Sequence, residues 1–286
     1  MGFSVTLCKG INRLFPLPVH PFNLQNTGEK TYAQWQFEKG EDTIKFYLAY
    51  TNPKDMFQDK KVLDIGCGAA GKTLYYASLG AKEVVGLDVV PYYKEKAEQL
   101  AKEKNLQDHF RFVLGDGAAL PMEENTFHTV IMNDAMEHVD DPLAVLHECY
   151  RVLQPGGKLY VNFPPYYHPY GAHLSDAMGF PWIHLFFGED TLIQTYKQLV
   201  KDLPDGQERI AFRISQDSEG KEYFSYINKM TLKRFNQLIK KTSFHLAYYK
   251  EVPLRSFLTP FARIPGLKEG FVKMAVCILE KPKRRD

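Results

Sequence analysis

Between residues 60 and 163 the chain alternates short apolar runs with stretches whose apolar positions recur at helical spacing, the pattern of a sheet with helices packed against it. The runs Val62–Ile65, Glu83–Asp88, Phe110–Leu114, Thr129–Asn133 and Lys158–Phe163 are rich in β-branched or aromatic residues and bounded by Gly, Asp or Pro, so each predicts a strand. Helices are predicted over Lys72–Leu79, Pro91–Lys104 and Pro142–Leu153, the second opening on proline and the third following Asp140 and Asp141 as candidate caps. Gln154-Pro155-Gly156-Gly157 predicts a turn that stops the third helix and starts the fifth strand. After Phe163 the periodicity breaks in Pro164-Pro165-Tyr166-Tyr167-His168-Pro169-Tyr170-Gly171 and stays irregular to about Asn228, which marks an insertion. A helix near Thr231–Lys241 and strands near His245–Glu251 and Phe271–Glu280 follow. The expected organisation is a helical cap or lid over 1–58, a core over 59–163, an insertion over 164–228, and 229–286 returning to the core.

Composition narrows the function class. At 286 residues, 44% hydrophobic and 24% charged, the chain can bury a sizeable core. Its 36 Lys+Arg against 34 Asp+Glu provide no broad basic field for tracking phosphates, so nucleic acid is not the expected partner. Cys8, Cys67, Cys149 and Cys277 lie far apart without a CxxC pair, which reads as a reduced chain with a cytoplasmic location. No apolar run approaches the roughly 20 residues that span a bilayer. Residues 2–18 are mildly apolar with Lys9 and Arg13 embedded and show no export signal. They predict a short amphipathic helix, which its weakly charged polar face assigns to capping the active site in preference to touching a membrane.

The strongest chemical signal is Val62-Leu63-Asp64-Ile65-Gly66-Cys67-Gly68-Ala69-Ala70-Gly71, a buried strand running through a glycine-rich turn into a helix. Glycines let a ligand approach the backbone, and a helix N-terminus attracts a carboxylate or a phosphate. Gly66, Gly68 and Gly71 fit GxGxxG, so a NAD-dependent oxidoreductase is a direct rival. Asp64 separates the readings: its carboxylate would repel a pyrophosphate but would suit the ammonium of S-adenosylmethionine. Asp88, ending the second strand, can accept both hydroxyls of a ribose. Asp116 can take an adenine amino group while the N–H of Gly117 or Ala118 pairs with a ring nitrogen.

Four motifs in this order, VLDIGCGAAG, GLDVV, GDGAALPMEENTFHTVIMNDAMEHVDD and LQPGGKLYVNF, resemble the class I S-adenosylmethionine-dependent methyltransferases over roughly residues 60–163. The resemblance implies an α/β, Rossmann-like sheet of seven strands, mostly parallel with the last antiparallel, helices on both faces and an inserted substrate cover. It also implies S-adenosylmethionine as cofactor and a site lined by Asp64, Gly66, Cys67, Gly68, Asp88, Val89, Asp116, Gly117, Ala118, Asn133 and Asp134.

Methyl transfer to a hydroxyl asks the protein to align the acceptor, exclude water and remove a proton. Asp134, Glu137 and His138 follow the fourth strand at i, i+3, i+4, one face of a helical turn, and His138 is the leading general base because histidine titrates near neutrality. The same three can hold a divalent cation, and the stretch is similar to a Glu-x-x-Glu-His arrangement in methyltransferases of ubiquinone biosynthesis, with Asp134 in place of the first Glu. The base or a helix brace outweighs the metal, and no metal is expected. In the insertion, Tyr167, His168, Trp182 and His184 stand among many aromatic residues as candidate substrate contacts, with His173 as a second base. Each aromatic residue there is individually better explained as satellite packing. Tyr32 and Trp35 are placed where this family often sets a lid, able to cover the methionine half of the cofactor. The expected function is methylation of a small molecule at oxygen, with N- or C-methylation, a NAD-dependent oxidoreductase and a non-catalytic scaffold as alternatives.

Overall fold

A computed structural model describes residues 2–264 and 266–283. They form two compact units. The core unit holds Thr31–Phe163, Leu232–Val252 and the chain from Met274; the second holds the chain up to Lys30, Pro164–Thr231 and Pro253–Lys273. The N-terminal stretch is therefore shared between the units at Lys30/Thr31 and does not behave as one 1–58 element, and residues 253–273 join the insertion and leave the core. Packing explains the recruitment: the second unit's apolar cluster joins Leu174, Met178, Ile183, Tyr196 and Phe224 to Cys8 of the helix Phe3–Asn12, completing a core the insertion alone does not close.

The strands are β1 (Lys61–Ile65), β2 (Glu83–Asp88), β3 (Phe110–Leu114), β4 (Phe127–Asn133), β5 (Leu153–Phe163), β6 (Ile214–Gln216), β7 (Glu222–Phe224), β8 (His245–Pro253) and β9 (Val272–Glu280). Seven of them form one sheet in the order β3-β2-β1-β4-β5-β9-β8, while β6 and β7 pair antiparallel in the second unit. β1 runs parallel to β2 and β4, β2 to β3, and β4 to β5. The last strand, β9, is antiparallel to β5, with Lys158 opposite Glu280 and Phe163 opposite Ala275. Central strands in such a sheet are covered on both faces, which is why β1, β4 and β5 read as continuous apolar runs without alternation.

The flanking helices include Gly71–Ser78, Tyr93–Glu103, Pro142–Val152 and Leu232–Ile239. Asp141 caps the third, its Oδ1 accepting the N–H groups of Leu143 and Ala144 at 3.0 Å each. One sequence expectation is corrected here. Gln154-Pro155-Gly156-Gly157 does not precede β5 but lies inside it as a bulge, since Leu153 already pairs with Phe127 before Lys158 resumes the register with Thr129. Gly156 bulges at φ +82° and donates its N–H to the carbonyl of Lys281.

Beneath the carboxyl ends of the strands runs a buried polar network. Asn133 Oδ1 accepts from the Tyr47 hydroxyl at 2.5 Å and from Asn162 Nδ2 at 2.8 Å, and its own Nδ2 donates to Tyr76 Oη at 2.9 Å. Asn162→Ala removes one donor to a buried oxygen and opens a small void. It should lower unfolding stability by about 1–3 kcal/mol, read as a reduced denaturant midpoint.

Candidate functional site

At the end of β1 the chain turns through Gly66 and Gly68 at φ +73° and +57°, conformations that suit residues without a Cβ. A Cβ on Gly66 would lie 2.7 Å from the Ala135 Cβ, and one on Gly68 would lie 3.2 Å from both Cε1 and Oη of Tyr32. Above the turn lies the helix Tyr32–Glu38, begun by a capping box in which Thr31 Oγ1 accepts the Gln34 N–H and Gln34 Oε1 accepts the Thr31 N–H, both at 3.2 Å. Gln36 ties this helix down: its amide donates to the Cys67 carbonyl and accepts the Gly71 N–H, each at 3.3 Å. Tyr32 is pressed against the turn with Trp35 stacked 6.4 Å away, and burial followed by the Asp88 and Asp134 charges pushes its phenol up. Of the aromatic pair placed by sequence as a lid, Tyr32 lies against Gly68 of the turn and Trp35 stacks on Tyr32. Gln36, which ties the helix there from two positions before the helix end, was not singled out, because an amide on a helix reads as surface in the sequence.

Three strand-end carboxylates surround the turn. Asp64 is buried, accepts from Thr73 Oγ1 at 2.6 Å, and is pushed up to about 7 by burial, opposed by that hydrogen bond and by Lys72. Asp88 accepts the Gly68 N–H at 2.7 Å and the Val90 N–H at 3.0 Å, so each oxygen braces the turn or its neighbour while keeping a second lone pair outward. Burial still raises its pKa despite those bonds. Val89 beside it is exposed. Asp116 is exposed and accepts the Ala118 N–H at 2.9 Å, which engages one of the two N–H groups expected to face a ring nitrogen and leaves Gly117 for that role. Cys67 packs inward, its thiol pushed up by burial. Asn133 spends its side chain on the network below, so the expectation that it lines the site holds only for its backbone.

This set fits S-adenosylmethionine. A carboxylate buried and held partly protonated would be stabilised in its ionised form by an ammonium, and the Asp88 carboxylate is an acceptor that ribose hydroxyls could meet. A dinucleotide fits less well: its phosphates need the N-terminus of the helix Gly71–Ser78, where Gln36 already accepts the Gly71 N–H, and Asp64 would repel them.

After β4, Asp134 takes φ +52°, an uncommon conformation for a residue with a side chain and a frequent companion of functional sites. Its carboxylate pairs with Lys72 Nζ at 2.8 Å. Lys72, unforeseen from sequence, is a cation in the first turn of a helix, a locally unfavourable placement that marks a residue kept for another purpose. Glu137 is buried, and burial followed by the Asp134 charge pushes its carboxyl well above the usual range; its Oε1 lies 3.9 Å from His138 Nε2. His138 keeps a third of its side chain exposed.

The other named residues belong to the second unit. His168 is driven down to about 4 by burial and accepts the Tyr170 N–H at 3.1 Å; His184 donates Nε2–H to the Tyr166 carbonyl at 2.8 Å. Trp182 donates to the Gly270 carbonyl at 3.2 Å. His168 and His184 bond within the insertion and Trp182 bonds the 253–273 segment, so each has a ring nitrogen engaged inside the second unit. Tyr167 is exposed, its ring against Tyr166. His173 adopts φ +52° and offers its carbonyl to Arg213 Nε at 3.3 Å.

Comparison with known proteins adds the following. A family described as "Methyltransferase domain" matches residues 63–161. Sterol 24-C-methyltransferase of Saccharomyces cerevisiae is 37% identical over 43% of this chain and 33% of its own length. The chloroplastic tocopherol O-methyltransferase of Arabidopsis thaliana is 28% identical over 50% of this chain and 40% of its own length. The chain thus spans less than half the length of these two curated relatives. A solved S-adenosylmethionine-dependent methyltransferase from Methanosarcina mazei has the same fold at a TM-score of 0.50 and 22% identity, covering 84% of this chain and 98% of that one.

Proposed function

Because residues 63–161 belong to the methyltransferase-domain family and the sheet is that of class I S-adenosylmethionine-dependent methyltransferases, we propose that the protein methylates a small-molecule acceptor at a hydroxyl oxygen. The observation that carries this reading is the trio Asp64 in β1, Asp88 at the end of β2 and Asp116 just after β3, with Asp88 accepting the N–H of Gly68 in the glycine turn. Asp64 faces the ammonium of the cofactor, Asp88 its ribose hydroxyls, and Asp116 with Gly117 its adenine. Tyr32 and Trp35 close over the turn and exclude water. When bound, the cofactor supplies a methyl already activated on a sulfonium. His138 then removes the hydroxyl proton of the acceptor, with the Glu137 carboxyl 3.9 Å from its Nε2.

The two relatives are named for methylation at carbon and at oxygen, so the choice of oxygen rests on His138 alone. Titration calorimetry with S-adenosylhomocysteine, beside NAD, tests the cofactor. Binding of the first alone is expected; binding of NAD alone overturns the reading of Asp64, and binding of neither favours a scaffold. In the same assay Asp88→Ala should weaken S-adenosylhomocysteine by about 1–3 kcal/mol through lost charge-assisted hydrogen bonds. Unchanged affinity removes Asp88 from the ribose. Transfer of label from methyl-tritiated S-adenosylmethionine to a panel of phenols, amines and alkenes decides the acceptor atom.

A further inference from the structure

The helix Phe3–Asn12 buries one stripe, Val5, Cys8 and Asn12, against the second unit. A surface helix ordinarily has a single apolar stripe. This one presents another: Phe3 and Leu7 point to solvent one turn apart, and Leu14, Leu17 and Val19 continue the exposed apolar path, with Phe3 83% and Leu14 and Val19 each 79% exposed. The path does not end with the helix. Phe15 meets the Phe180 ring at 4.8 Å, Phe180 meets Phe186 at 5.6 Å, and Phe186 is itself 69% exposed. From the same loop Trp182 packs on Phe271 at 6.0 Å and Phe271 on Phe261 at 5.3 Å, reaching a third segment where Phe257 is 73% exposed and Ile264 and Leu267 are also open.

Charge follows the same segments. Residues 3–19 carry Lys9 and Arg13 and no acid; residues 253–271 carry three basic residues and one acid, Glu269; residues 179–187 carry neither. Five basic residues against one acid make +4 in a chain whose total is +2, so the remainder is −2. Large exposed apolar side chains interleaved with cations are the composition of a membrane-interface surface: the apolar groups enter the headgroup boundary and the cations meet anionic lipid. A partner protein would not require the basic excess, and a second copy of the chain would set this positive surface against itself.

We infer that this face of the second unit, formed by residues 3–19, 179–187 and 253–271, is a docking surface for an anionic lipid bilayer. The inference does not depend on the methyl-transfer reading. It is tested with the full chain and sedimented vesicles, one set of phosphatidylcholine and one of phosphatidylcholine mixed with phosphatidylglycerol. Binding to the mixed vesicles is expected, weakening steeply as salt rises, with roughly a fivefold loss for each basic residue neutralised near the surface. The triple variant Phe3→Ser, Leu7→Ser, Leu14→Ser should lower partitioning at least about tenfold, since each anchor loses most of its apolar transfer. Phe257→Ser in the third segment should also reduce it, independently of the helix. An unchanged circular dichroism spectrum and an unchanged thermal unfolding midpoint show that the variants fold. Equal binding to both vesicle types, no binding to either, or dimerisation without lipid that the triple variant abolishes would each overturn the inference.

Discussion

His138→Ala is expected to lower turnover by about 10²–10⁴-fold, the usual worth of a positioned general base, while leaving S-adenosylhomocysteine affinity within about twofold. The two readouts separate because His138 lies past the end of β4, five residues beyond Asn133, whereas the candidate cofactor carboxylates lie in β1, at the end of β2 and just after β3. The assay uses whichever hydroxylated acceptor takes label from the panel. In the wild type the rate should fall on the acid side as the histidine becomes protonated, and in the variant that limb should disappear. A variant that keeps full activity takes His138 out of the mechanism; one that loses cofactor affinity in proportion to rate makes it a structural brace.

The second large effect is expected in the pH dependence of cofactor binding. Asp64 has its pKa raised by burial to about 7, so below that pH the free protein holds a neutral acid where an ammonium must find a carboxylate. Binding then costs the release of a proton. Affinity for S-adenosylhomocysteine should be full near pH 8 and fall by about tenfold per unit below 7, roughly 30-fold lower at pH 5.5 than at pH 8. The sign follows from the direction of the shift: a raised pKa favours the protonated form in the free protein, and the ligand favours the ionised form. Asp64→Asn should bind weakly at every pH with the slope abolished. A flat profile in the wild type would place the ammonium elsewhere.

Much of this protein was legible along the chain because its information is local. The glycine turn, the strand-end aspartates and the Asp141 cap each act on residues a few positions away, and a strand covered on both faces announces itself as an unbroken apolar run. The Gln154–Gly157 bulge was misplaced because proline and glycines signal a turn equally well before a strand or within one; only the pairing of Leu153 with Phe127 distinguishes the two. Gln36 and Lys72 escaped notice for a related reason. An amide or a cation on a helix reads as surface until the fold lays it against Cys67 or Asp134.

The sequence by itself determined the order of strands and helices, the glycine turn and the aspartates at the strand ends, since backbone conformation and solvent burial constrain these residue by residue. Only the tertiary structure decided which groups His184 and Trp182 bond, which side chain of the Asn133-Asp134 pair turns inward, and where the N-terminal stretch divides between two units. The partners of His184, Asn133 and Trp182 lie 18, 86 and 88 residues away, and a hydrogen bond or a packed ring leaves no mark on the periodicity of the segment that makes it.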